Sequence, residues 1–369
     1  MVVLLALTAG LLGGVAGGLK YAARDRGVDP LDPALAQLAG RLESDPALAA
    51  FTSGNVLADP APDNFRDWQA STRSMILALG SSDIISDERP DYRVLADRTL
   101  GSGVRQTLIA FRTFDGSEIP AYLHRPAGLA RAPGILVIPG HVKEGQSGIE
   151  QLANDRNSYQ HAAARRLAEQ GHVTLAPELR GFGYLGQPFD TEHRLVAYNA
   201  ILRGTSYKWI ALRDLGAAMR LLRGFDAVDG ERIAVSGASL GGELAVQYSA
   251  LDPDVDAVVF QSFGGQQGLK QSIHGDARDQ PHYCHVLPGI DRNVAQEHWY
   301  WLLAPRPVLG VRGSDNNPFD DGDRDLYGQG WSYLDATSNF ELRVAEGGHE
   351  YFVEPAAEFF ARVFGPASP

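Results

Sequence analysis

The sequence predicts an α/β fold with a mostly parallel, eight-stranded sheet flanked by helices. Three observations predict it. Short continuous apolar runs such as Gly134–Ile138 and His172–Ala176 have the texture of strands buried on both faces. Helix-compatible stretches of roughly 12–17 residues alternate with these runs, which calls for crossover connections. One run, Ile233–Ser236, leads through Gly237-Ala238-Ser239-Leu240-Gly241 into a helical stretch, so a G-x-S-x-G turn stands between strand and helix.

Val2 to Leu19 carries no charge and is rich in Leu, Val, Ala and Gly; Lys20, Arg24 and Arg26 follow it. An apolar run of about 18 residues can just span a bilayer, and Gly14-Val15-Ala16 has the small residues of a cleavage site. We therefore expect residues 1–19 to act as a signal or anchor, making the protein exported or membrane-anchored and otherwise cytoplasmic. A basic segment ahead of the run is missing. Residues 29–105 are expected to form a helical extension that packs on a core domain of residues 106–369. Pro33–Leu42 and Asp63–Trp68 leading into Thr72–Leu79 are its helical parts.

The strands begin at Thr107. Thr107–Arg112 and Ile119–Arg125 flank Asp115-Gly116, a hairpin signal. Gly134–Ile138 ends in Pro139-Gly140-His141. Tyr159–Gln170 reads as a helix stopped by Gly171, and Tyr207–Arg223 as a longer one closed by Gly224. Further strands fall at Ala257–Gln261, Arg306–Arg312 and Phe340–Val344, with a last helix at Pro355–Phe364.

Composition bounds the partners. The chain has 369 residues, 44% hydrophobic and 21% charged, which suits a large folded core. Its 33 basic and 45 acidic residues give −12, and with no basic stripe a nucleic-acid partner is not expected. A single cysteine, Cys284, excludes an internal disulfide and a Cys-rich zinc site. The oligomeric state is not readable.

A serine held at the tip of so tight a turn needs neighbours without bulk, which Gly237, Gly241 and Gly242 supply. It also stands at the start of a helix, where N–H groups without intrahelical partners can stabilise an oxyanion. A serine hydroxyl needs a contacting base, and the base a group that orients it. Such residues lie beyond the carboxyl ends of strands. Gly313-Ser314-Asp315 follows one strand, with Asp320 and Asp321 further on as alternative acids; Gly347-Gly348-His349 follows another. The order Ser239, Asp315, His349 is that of a nucleophile–acid–base triad. The second oxyanion donor is expected from the loop after Gly134–Ile138, so the backbone N–H groups of His141 and Leu240 form the expected hole.

Several segments resemble the α/β-hydrolase superfamily, in the branch of dienelactone-hydrolase-like and acetyl-xylan-esterase-like bacterial proteins. They are Phe65–Trp68 through Arg73, Pro139–His141, Glu178–Gly183, Gly237–Gly242, Leu303–Val308 and Gly347–His349. The resemblance runs from about Asp63 onward and implies the α/β-hydrolase fold, with Ser239 as nucleophile, Asp315 as acid and His349 as base. It also implies hydrolysis of a small-molecule ester through an acyl-enzyme, with acetyl-type groups, carbohydrate esters included, as the substrate class.

Two departures stand out. Glu178 occupies a position where relatives carry aspartate, and it is expected to pair structurally with Arg180. The acid loop is one residue shorter than usual. Dienelactone hydrolases proper use a cysteine, so Ser239 disfavours that activity. No metal or cofactor is expected: His274, His282, Cys284 and His285 are dense in ligand atoms, but neighbours such as Cys284 and His285 rarely aim at one ion. Trp299, Tyr300, Trp301 and Trp331 are either core residues or platforms for a sugar ring. The rival readings are a prolyl-oligopeptidase-like peptidase, for whose propeller the chain leaves no room, and a non-catalytic binding protein of the same fold.

Overall fold

The computed structural model describes residues 59–143, 145–186, 193–264, 283–290 and 294–365. The chain divides into two compact units. One of them, Met1–Leu57 with Asp291–Asn293, lies outside the described residues, as do the expected signal or anchor of residues 1–19 and residues 29–58 of the expected extension. No helix among the described residues is long and apolar enough to cross a membrane.

Nine strands form one sheet: β1 (Tyr92–Thr99), β2 (Arg105–Arg112), β3 (Glu118–Arg125), β4 (Ala132–Ile138), β5 (Val173–Pro177), β6 (Val228–Ala238), β7 (Ala257–Gln261), β8 (Val308–Gly313) and β9 (Phe340–Ala345). Their spatial order is β1-β2-β3-β5-β4-β6-β7-β8-β9. The first three strands meet their neighbours antiparallel, and everything from β5 to β9 is parallel. The order reverses around β4, so the carboxyl ends of β4 and β6 open a crevice, the usual place for a ligand in such sheets.

The helices among the described residues are α1 (Phe65–Leu79), α2 (Gly148–Ala153), α3 (Ala163–Glu169), α4 (Gly183–Gly186), α5 (His193–Leu202), α6 (Tyr207–Arg223), α7 (Leu240–Leu251), α8 (Gln296–Trp301), α9 (Asp321–Ser332) and α10 (Val353–Phe364). Two apolar clusters cover the two faces of the sheet. Leu136 and Ile138 of β4 pack with α6 and α7, whereas Ile135 and Val137 pack with α3 and α10. Alternate residues of one strand thus feed opposite layers, which is why the central strands are apolar throughout. Helix α6 runs as the sequence predicts: Ser206 accepts the Trp209 N–H at its start (3.3 Å), and Gly224 ends it. The Asp115-Gly116 hairpin also forms, with Gly116 at φ +81° and Arg112 opposite Glu118.

Two expectations about the sheet and the extension are corrected. The sheet has nine strands and not eight, because β1 joins the edge inside the stretch expected to be helical. All its side chains are exposed, so it lacks the alternation that reveals a half-buried strand; cross-strand pairs such as Arg93–Glu118 (2.9 Å) and Arg105–Asp97 (2.7 Å) populate it instead. The helical part of that stretch, α1, docks through Phe65, Gln69, Thr72 and Ile76, and the Gln69 amide donates to the carbonyls of Trp301 and Ala304, both at 2.8 Å. Trp299, Tyr300, Trp301 and Trp331 are all buried, so none is a platform for a sugar ring.

Glu178 and Arg180, expected to pair, point to different partners. Arg180 bridges Asp214 (2.7 Å) and Asp115 (2.7 Å). Glu178 is buried and accepts from Ser147 Oγ (2.5 Å) and from the Gly148 N–H at the start of α2 (3.0 Å). Burial outweighs these hydrogen bonds and raises its pKa to about 7. A raised carboxyl pKa favours the protonated folded state: the contribution is complete below the unfolded value and is lost as pH rises through 7. Thermal unfolding should therefore show Tm falling between pH 5 and 8, with Glu178→Gln flattening that fall. An unchanged slope in the variant would place the pH dependence elsewhere.

Candidate active site

Ser239 sits between the end of β6 and the first residue of α7, at φ +60° and ψ −127°. A residue with a Cβ is strained in this region, and such strain persists only where the surroundings impose it. They do so here by close backbone approach. A methyl group on Gly237 would overlap the Gly241 carbonyl, one on Gly241 would overlap the Ile138 carbonyl, and one on Gly242 would lie 2.7 Å from Gln261 O. The Ser239 N–H donates to Gln261 O (2.9 Å), and Ser239 O accepts from the Glu243 N–H (3.1 Å), starting the helix.

The β4 loop closes on this turn. A Cβ on Gly140 would lie 2.5 Å from Ala238 O and 3.0 Å from Ser239 Cβ, so only glycine lets the loop come so near. The Gly140 N–H donates to Gln160 Oε1 (2.9 Å), and the Tyr159 hydroxyl donates to His141 O (2.7 Å), which fixes the peptide between them. Leu240 is the first residue of α7, so its N–H has no intrahelical acceptor and points out of the positive end of the helix. The structure thus brings Ser239, His141 and Leu240 together.

Beneath the turn lies a buried charged set that sequence reasoning missed. Glu243, in the first turn of α7, contacts Lys208 of α6 and accepts from His285 Nδ1 (2.5 Å). Burial opposes the charge on His285, but the Glu243 carboxylate carries its pKa up to about 9. The Lys208 and His285 charges in turn overcome burial and hold Glu243 low, at about 2.

His349 follows β9, in a turn where Gly347 takes φ +137°. This turn interlocks with the one after β8: the Ser314 N–H donates to Ala345 O (2.8 Å), and the Asp315 N–H to Gly347 O (3.0 Å). It is also tied to the end of β7. The Glu350 N–H donates to Ser262 Oγ (3.1 Å), and the Phe352 N–H to Gln261 Oε1 (2.6 Å). The imidazole centroid lies 6.0 Å from that of Tyr159. His349 is exposed, yet the partial burial of its ring, then the Arg312 guanidinium and the His141 ring, lower its pKa. No hydrogen bond joins Ser239 Oγ to this ring among the described residues, a looseness common in sites without substrate.

The expected acid is not on the base. The Asp315 carboxylate is exposed and accepts from Ser314 Oγ (3.1 Å); Asp320 caps α9 by accepting from the Asp323 N–H (2.8 Å), and Asp321 is exposed in the first turn of that helix. The side chain on His349 Nδ1 is that of Asn316, with Nδ2 at 3.0 Å. The spacing after Gly313 held the signal: the loop is one residue short for Asp315, and Asn316 is the next residue. A half-turn of the amide puts Oδ1 in the same place, where it would accept from Nδ1–H and leave Nε2 unprotonated.

Residues 119–296 match the Dienelactone hydrolase family. No curated protein matches the chain. Among solved structures, a Bacteroides fragilis protein assigned as an acetyl xylan esterase aligns at TM-score 0.63 and 20% identity, over 81% of this chain and 78% of its own. A methylesterase aligns at 0.61 and 17%, over 84% of this chain and 66% of its own. A CE15 glucuronoyl esterase from Teredinibacter turnerae aligns at 0.55 and 16%, over 84% and 88%. Identities this low speak to fold alone. The chain has the α/β-hydrolase fold, and over residues 119–296 its sequence is that of the dienelactone hydrolase family model.

Proposed function

We propose that the protein is a serine carboxylic-ester hydrolase working through an acyl-enzyme, with short acetyl-type esters, including those of carbohydrates, as its substrate class. The observation that carries this reading is Ser239 in its strained turn, at the positive end of α7 and facing the Gly140-His141 loop. The three solved structures compared above are named as an acetyl xylan esterase, a methylesterase and a glucuronoyl esterase, which supports the same chemistry.

In the proposed cycle His349 Nε2 takes the Ser239 proton as Oγ attacks the ester carbonyl. The backbone N–H groups of His141 and Leu240 hold the oxyanion. His349 then protonates the leaving alcohol, and water reverses the sequence to release the acid. Asn316 takes the orienting role expected of Asp315: its Oδ1 can hold one tautomer, as the asparagine of Cys-His-Asn sites does, while giving the imidazolium less electrostatic support than a carboxylate would. The lowered pKa of His349 keeps it neutral, and so able to act as base, into mildly acidic solution.

p-Nitrophenyl esters from acetate to octanoate test the reading. Wild type should be fastest on acetate, and Ser239→Ala and His349→Ala should each lose about 1,000-fold or more in kcat. Equal activity in Ser239→Ala and wild type would end the assignment. The acid limb of kcat/KM should have its midpoint below the ordinary histidine value of about 6.5; a limb above it would overturn the lowered pKa of His349. Asn316→Ala should lower kcat by about 10- to 100-fold with KM little changed. If Asp315→Ala did this and Asn316→Ala did not, the orienting role would return to Asp315.

A further inference from the structure

We propose that His141, Cys284 and His285 form a binding site for one divalent metal ion of the zinc class. The inference does not depend on the hydrolytic reading. Its ground is convergence: one ligand atom from each of the three side chains falls within a sphere in which no two are more than 4.8 Å apart. His141 Nε2 lies 3.4 Å from Cys284 Sγ. Two such atoms bound to one tetrahedral zinc, at its ordinary Zn–N and Zn–S lengths, would stand about 3.5 Å apart. That edge of the site already has its metal-bound length, and the remaining edges, none longer than 4.8 Å, need to close by at most about 1.3 Å.

The sequence argued against such a site because adjacent residues seldom face one ion. The short turn Tyr283–His285 removes that objection: it buries Cys284 and brings both side chains to the His141 loop. A second feature points the same way. Glu243 accepts from His285 Nδ1 (2.5 Å), which assigns metal ligation to Nε2 and supplies the carboxylate partner that metal-binding histidines usually have. Lys208 holds that carboxylate from the other side.

Two imidazoles and a thiolate are borderline to soft donors, which select zinc over magnesium or calcium. Three protein ligands leave a fourth position. His193 is a further donor on the His141 side: its ring centroid is 4.8 Å from that of His141, and its Nε2 is buried with no hydrogen-bond partner among the described residues. A metal here would tie the β4 loop, which carries the His141 N–H, to the 283–285 turn. Its role would be to fix that wall of the site, and no step of ester hydrolysis needs to pass through it.

The test is a titration of chelator-treated, desalted protein with Co²⁺, followed by competition with Zn²⁺. One equivalent should bind and produce the near-ultraviolet thiolate-to-cobalt charge-transfer band, and Zn²⁺ should abolish it. Cys284→Ser, close to isosteric, should lose the band. Glu243→Gln should weaken binding by about 10- to 100-fold while leaving the band's position unchanged. Circular dichroism and Tm of each metal-free variant separate lost binding from lost folding. Absence of the band in folded wild type, or its persistence in Cys284→Ser, would overturn the proposal. p-Nitrophenyl acetate hydrolysis by the metal-free protein reads the esterase assignment separately.

Discussion

The close approach of three backbone segments around Ser239 governs the rest of the site. The end of β4, the start of α7 and the end of β7 come so near that Gly140, Gly237, Gly241 and Gly242 have no room for a side chain. A central, fully buried strand pair supplies the rigidity, since β4 and β6 are in register from Gly134–Ile233 to Ile138–Gly237. The strain at φ +60° is thereby imposed by packing on both faces of the sheet and not by the turn alone. What the packing secures is direction. The serine leaves the sheet at the point where the strand order reverses and where a helix begins.

Electrostatics under the turn follow from the same geometry. Glu243 is close to the positive end of α7, a favourable place for a carboxylate, but its burial demands partners. Lys208 and His285 provide them from two other segments, so the acid is neutralised without facing the serine. A carboxylate left unpaired there would repel any developing oxyanion.

How far the sequence foretold this depends on the kind of signal. Gly237–Gly242 and Gly347–His349 were legible because their spacing states a backbone conformation. Helix α6 was legible because Ser206 and Gly224 bound a clean apolar period. Strand β1 was not, since exposure on both faces leaves no pattern to read. The Glu178–Arg180 pairing failed because neighbours in a loop need not share a direction: the partners of Arg180 are Asp214 of α6 and Asp115 of the hairpin turn. Asn316 escaped because triad reasoning looks for carboxylates, although the loop is one residue short for Asp315. The convergence of Cys284 and His285 with His141 is a long-range property that no local spacing records.

The ties between β7 and the turn carrying His349 also bear on the order in which the protein comes apart. Ser262 and Glu350 are 88 positions apart, and β9 is the last strand at the edge of the sheet. The serine turn rests on central strands, whereas the histidine follows an edge strand and is held inward by loop hydrogen bonds and by the buried Tyr351 and Phe352. Local opening reaches edges before centres. On warming or in mild denaturant the base should leave while most of the secondary structure survives. Loss of turnover in such conditions reports undocking of the C-terminal edge, and recovery on cooling requires only that one strand to return.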